Sequence, residues 1–303
     1  MAESTIFDDV FRTETEKMPE LTIPLINEVF GMNYPLDTEI IQGRNEHLTK
    51  SGKKITDSYI IIGEKRYHME CQSTEDSTMI LRMIEYDFAI SLEHAEKVHG
   101  TYRMQFPHSC ILYLRGDAQK KNVSMELQFP DNQIVRYKVP VIRMEWYSIK
   151  EILEKDLIML LPFYIMRYEK MKQQLENDEV LREKLFQEYE MIAKYLEQKL
   201  LNCGLEKEFR DISELISKIV EYSFSELKNI RKGLGEIMGG QVLELESDRL
   251  IKKGEARGKE LGVDDMAALT RKLMDEGRLD DLRRCTEDSA YRKKLLNEMQ
   301  GIL

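Results

Sequence analysis

Asp57 and Glu70 lie in two short segments that alternate apolar and polar residues, Asp57–Ile62 and Arg66–Gln72, joined by Gly63-Glu64-Lys65. Alternation around a glycine-containing turn predicts a β-hairpin. With Glu64 and Lys65 as a two-residue turn, Ile61 faces His68, Tyr59 faces Glu70 and Asp57 faces Gln72. One face then carries Ser58, Ile60, Ile62, Tyr67, Met69 and Cys71, mostly apolar; the other carries Asp57, Tyr59, His68, Glu70 and Gln72. Neighbouring strands run roughly 5 Å apart, so two carboxylates and an amide converge. Close carboxylates repel, and one pKa rises unless a cation lies between them. A hard divalent ion, Mg²⁺ or alternatively Mn²⁺, takes oxygen ligands of this kind. Such an ion polarises a phosphoryl oxygen and acidifies bound water, so the pattern suits metal-assisted phosphodiester hydrolysis.

Together with Arg82 and Tyr86, these residues resemble the PD-(D/E)XK nuclease superfamily, and more narrowly its recombination-promoting, transposase-like nuclease group. The group's pattern is a strand-borne Asp, a Glu-x-Gln ending the following strand and an Arg-x3-Tyr on the next helix. It is matched here by Asp57, Glu70, Gln72, Arg82 and Tyr86. The resemblance spans roughly residues 5–170, and more loosely the charged, glycine-spaced C-terminal segment. It implies a restriction-endonuclease-like α/β core and a Mg²⁺-dependent DNA endonuclease. Asp57 and Glu70 would hold the metal, Gln72 would orient the attacking water and Arg82 would neutralise the scissile phosphate. Two departures stand out: Thr56 replaces the superfamily Pro, a tolerated loss, and Gln72 replaces its Lys, as it commonly does in this subgroup. An amide cannot stabilise developing negative charge as a cation does. Arg82, one helical turn from Tyr86, could supply that cation, and such a site suits slow or regulated hydrolysis.

Plainer roles accompany each residue. Asp57 could end a loop, Glu70 could be an ordinary strand residue, and Arg82 and Tyr86 could pack a helix. His68 reads as a surface or supporting histidine. Glu28 is a candidate third carboxylate, or simply a solvent-facing helix residue. Basic clusters occur at Lys50/Lys53/Lys54, Lys120/Lys121, Arg231/Lys232 and Lys252/Lys253/Arg257/Lys259. Charge runs are usually solvated surface, but Lys50, Lys53 and Lys54 lead into the Asp57 strand, where a nucleic-acid backbone would lie.

The elements that must position these residues follow from periodicity. Helical spacing marks Ile6–Phe11, and a second helix runs from Pro19 to Gly31. Leu36–Gln42 is a short candidate strand. Ser77–Val98 reads as a long amphipathic helix, capped by Asp76 or Ser77 and followed by Gly100. Ser109–Leu114 is a buried strand, and Ser124–Phe129 with Ile134–Val141 forms a second hairpin. Helical periodicity dominates from Ser148. The expected organisation is an α/β nuclease-like core over 1–146, with a mixed sheet flanked by helices. A helical region over 147–250 packs on it, and a charged connector with a helical unit follows over 251–303. The connector carries Gly254, Gly258 and Gly262, and Gly277 stops a helix beginning at Asp264. Met and Tyr residues between 159 and 195 read as core packing.

Composition narrows the classes. The chain has 303 residues, 42% hydrophobic and 33% charged, with few Pro and Gly, which excludes collagen-like and wholly disordered chains. Its net charge of −10 means that nucleic acid must be met by a local basic surface. Cys71, Cys110, Cys203 and Cys285 lack zinc-type spacing and read as reduced thiols. The acidic N-terminus and the lack of a long apolar run predict a soluble, cytoplasmic protein with no membrane partner. DNA is the expected partner, and cleavage of duplex DNA favours a homodimer through the helical region. The rival reading is an inactive nuclease fold that binds nucleic acid or oligomerises. A carboxylate-pair glycosidase fits less well, because it would want a sugar-stacking aromatic cleft and the only Trp, Trp146, lies at the expected domain edge.

Overall fold

The structure is a computed structural model that describes residues 5–49, 52–116 and 119–238, with isolated positions between 269 and 295. The chain divides into a unit of Met1–Leu245 and a unit of Glu246–Leu303. The Gly254–Gly262 connector lies outside the described residues.

The first unit opens with α1 (Ile6–Lys17), whose N-terminus is closed by a reciprocal cap between Thr5 and Asp8. Helix α2 (Ile23–Phe30) ends on left-handed Gly31, as a glycine stop predicts. Short strands β1 (Ile41–Gln42), β2 (Glu46–Thr49) and β3 (Gly52–Ile55) lead to the hairpin of β4 (Ser58–Ile62) and β5 (Lys65–Gln72). Next come α3 (Met79–Glu93), a ribbon of β6 (Glu96–Val98) and β7 (Thr101–Arg103), then β8 (His108–Tyr113), β9 (Asn122–Gln128) and β10 (Ile134–Arg143). The helical part comprises α4 (Ile149–Glu154), α5 (Lys172–Asn177), α6 (Glu179–Lys199), α7 (Glu206–Ser223) and α8 (Lys228–Met238). Among the described residues, no helix is long and apolar enough to cross a membrane.

Six strands form a mixed sheet in the order β1-β4-β5-β8-β10-β9, flanked by helices. Strands β5, β8 and β10 are parallel, while β1, β4 and β9 pair antiparallel. The central β8 alternates between two cores. Cys110, Leu112 and Leu114 join Ile60, Ile62, Tyr67, Met69 and Cys71 against α1 and the helical part. Ile111 and Tyr113 pack with Met79, Met83, Val139 and Val141 on the α3 side. Burial on both faces suits the unbroken apolar run Cys110–Tyr113 that this strand carries.

The hairpin differs from expectation in register but not in facing. Ile62 pairs with Lys65, Tyr59 with His68 and Ser58 with Met69, so the turn is Gly63-Glu64 rather than Glu64-Lys65. Gly63 has φ +58°, the left-handed geometry that a tight hairpin turn needs at its first central position. The pairing therefore slides by two residues, which leaves every side chain on its expected face. Helix α3 is shorter than its apolar period suggests. His99 and Gly100 both take positive φ, and the turn they make folds 96–98 back as a strand.

In the second unit Leu269, Leu273, Cys285 and Leu295 form a small apolar cluster. Gly277 has φ +69°, and the Arg278 N–H caps Leu273 at 2.8 Å, in agreement with the helix stop expected there.

Candidate active site

The new register brings the two carboxylates closer than the expected one. Extending the pairing of Ser58 with Met69 by one step sets Asp57 opposite Glu70. The Asp57 N–H donates to Glu70 Oε1 at 3.0 Å, and the Cys71 N–H donates to Asp57 Oδ2 at 3.0 Å. Each carboxylate thus accepts an amide from the other's segment, which fixes both side chains. Arg12, from α1, donates to Asp57 Oδ1 at 3.2 Å. On the other side Arg82 stands 3.9 Å from Glu70 Oε2 and donates to Gln72 Oε1 at 3.4 Å. Asp57 and Glu70 are buried, whereas the Arg82 side chain is 32% exposed and marks the side open to solvent.

His68 lies behind Glu70. Its Nε2 is 3.0 Å from Glu70 Oε1, and its Nδ1 is 2.7 Å from Asp87 Oδ1. Asp87, on α3, also accepts from Ser109 Oγ at 2.7 Å and from the Tyr137 hydroxyl. Burial alone would discharge this imidazole, but the hydrogen bonds and charges of Asp87 and Glu70 outweigh it and push its pKa up to about 10. At neutral pH His68 is therefore an imidazolium that donates from both nitrogens. The Tyr86 ring meets His68 edge-on at 5.8 Å, and its hydroxyl bonds to Arg82.

Each carboxylate meets a cation of the chain, Arg12 at Asp57 and His68 at Glu70, but burial still dominates at Asp57. Burial pushes the Asp57 carboxyl well above the usual range, and the charges of Glu70 and Asp8 add to this, against Arg12 and the Cys71 amide. Asp8 is raised too, first by burial and then, against its bonds to Thr5, by Glu70. Two buried carboxylates facing each other, one of them held above its usual range, are oxygen donors of the kind a hard divalent cation takes. Among the described residues, no group of three or more His, Cys, Asp or Glu is arranged to hold a metal. Two carboxylates are nonetheless the usual protein share of a Mg²⁺ site, since water and substrate phosphates complete the shell. Asp57 and Glu70 are the residues that would hold such a cation, and it would supply Lewis-acid polarisation of a bound oxygen.

Asp57, Glu70, Gln72, Arg82 and Tyr86 thus occupy one locality. Lys50 lies outside the described residues, and so do the side chains of Lys53 and Lys54, whose backbone forms β3. Glu28 is elsewhere, paired with Lys155 at 2.6 Å and accepting from the Tyr147 hydroxyl at 3.2 Å. The acid that α-helical sequence supplies near the carboxylates is Asp8, together with Arg12, both on α1. Their one-turn spacing beside the buried Phe7, Val10 and Phe11 was the available signal. Asp87 was hidden inside the α3 apolar period. Comparison of the chain with protein-family models, curated proteins and solved structures finds no match.

Proposed function

We propose that the protein is a divalent-metal-dependent DNA endonuclease with a restriction-endonuclease-like core, of the recombination-promoting, transposase-like type. The observation that carries this reading is the clasp between Asp57 and Glu70, joined by the 3.0 Å bond from the Asp57 amide. Asp57 and Glu70 hold the metal, Gln72 orients the attacking water, and Arg82 neutralises the phosphate from the solvent side of Glu70. Tyr86 steadies Arg82, and His68 holds the Glu70 carboxylate through Oε1. Cleavage of both strands would be served by a homodimer in the cytoplasm. The test is nicking of supercoiled plasmid by purified protein with Mg²⁺ or Mn²⁺. Wild type should nick, while Asp57→Ala, Glu70→Ala and wild type in EDTA should not; equal activity in all four ends the reading.

A second reading is favoured by the Arg12 contact, which sets a guanidinium on Asp57 at 3.2 Å. With Arg12, His68 and Arg82 around two carboxylates, the fold could serve as a nucleic-acid-binding module without hydrolysis. Oligonucleotide binding without nicking, in any divalent ion, is its signature.

A further inference from the structure

The edge of the sheet that carries Gln72 has a second cationic feature. In register, Gln72 of β5 faces Tyr113 of β8, and Tyr113 faces Arg143 at the end of β10. Arg143 is 1% exposed and is the largest of the fully buried side chains. Its guanidinium lies 5.0 Å from the Tyr113 ring centre and 5.7 Å from that of Trp146. Nη2 is paired with Glu75, but Nε and Nη1 have no hydrogen-bond acceptor among the described residues. Gly116, at φ +112°, lets the backbone pass close by, since a Cβ there would stand 3.1 Å from Nη1. A buried guanidinium with unmet donors is costly, because each lost its water without gaining a partner.

Glu145 also acts on Arg143 through its charge, but the carboxylate paired with it, Glu75, faces a cavity. Glu75 is half-exposed, and with Asp76 and Tyr113 it lines a space of about 870 Å³ whose opposite wall carries Lys120, Lys121 and Asn122. The Glu75 carboxylate therefore occupies the position where an anion entering this cavity would reach the arginine fork. A phosphate presents more acceptor oxygens than a carboxylate and suits bidentate arginine.

We propose that Arg143, Lys120 and Lys121 form a subsite for a backbone phosphate of the bound nucleic-acid strand, and that Glu75 covers Arg143 until that phosphate displaces it. The subsite rests on the nuclease reading for its ligand. Two strand spacings separate it from Gln72, roughly 10 Å. It would therefore grip the strand beside the cleavage position rather than at it.

The experiment is fluorescence anisotropy of a labelled oligonucleotide, titrated in EDTA over a salt series with the full chain. Arg143→Gln should weaken binding about tenfold and lower the slope of log K against log salt by about one. Arg143→Lys should fall between it and wild type. Glu75→Gln, at a half-exposed position where the amide oxygen still gives Nη2 an acceptor, should tighten binding several-fold. This opposite sign keeps the proposal falsifiable even if Arg143→Gln folds poorly. Binding by Glu75→Gln no tighter than wild type, or no binding by wild type, overturns the subsite. A subsite that takes free phosphate alone would raise the melting temperature with inorganic phosphate while oligonucleotide affinity ignores both positions, which also overturns it. Metal-dependent nicking with unchanged anisotropy in the variants defeats the subsite and spares the nuclease reading. Glu75- and Arg143-dependent binding in a protein that never nicks does the reverse.

Discussion

His68 Nδ1 lies 2.7 Å from Asp87 Oδ1, with the two side chains 0% and 1% exposed. This contact ties β5 to α3 and leaves His68 Nε2 free to engage Glu70, so the carboxylate is held from the interior of the protein. Its pH dependence has a definite sign. The folded-state pKa, about 10, exceeds the ordinary 6.5, so the stabilisation is complete below pH 6.5 and lost as pH rises through about 10. Urea unfolding in EDTA should show wild type losing stability across that window. Asp87→Asn should flatten the loss and cost about 3–5 kcal/mol at pH 6, as breaking a buried pair does. A wild-type stability that is level from pH 6.5 to 10 would refute the assignment.

Glu14 has the opposite character. It is fully buried on α1, neither carboxylate oxygen has a hydrogen-bond partner among the described residues, and burial pushes its pKa well above the usual range. A carboxyl that must stay protonated to fold destabilises the protein as pH rises past about 4.5, by about 1.4 kcal/mol per unit up to its folded-state value. Glu14→Met should therefore raise the melting temperature at pH 7, by about 2–4 °C for each kcal/mol regained, and change it little at pH 4. Equal effects at the two pH values would show that Glu14 is charged in the fold.

Arg12 is the cation that the chain itself places on Asp57, at 3.2 Å. Arg12→Gln removes that charge and leaves two buried carboxylates less compensated. Thermal melting in EDTA should fall, at a cost of about 1–3 kcal/mol. Added Mn²⁺ should then raise the melting temperature more in the variant than in wild type. Identical Mn²⁺ shifts in the two proteins would place the metal elsewhere.

Arg82 touches both Glu70 and Gln72 but keeps a third of its side chain in solvent. Its removal should therefore spare the fold and harm the chemistry. Arg82→Ala should slow plasmid nicking about a hundredfold, in line with loss of one charge-stabilising donor, with a melting temperature close to wild type. Arg82→Lys should recover part of the rate. Unimpaired nicking by Arg82→Ala would assign the residue to helix packing.

The sequence by itself determined which side of the hairpin each residue occupies. Side-chain alternation has a period of two, so the apolar set Ile60, Ile62, Tyr67, Met69 and Cys71 selects its face however the strands slide. It did not determine the register, because slides of two residues satisfy the same alternation; the left-handed Gly63 made that choice and set Asp57 against Glu70. Helix stops at Gly31 and Gly277 were equally local and equally legible. Tertiary structure alone decided the rest of the site. Arg12 meets Asp57 across 45 residues of chain, and His68 meets Asp87 across 19, through the docking of α1 and α3 on the sheet. Glu28, with the same charge as Asp8, was carried instead to Lys155. Local period tells a residue which way to face, but charge partners distant in sequence are chosen by how the apolar faces pack, and only the folded chain contains that information.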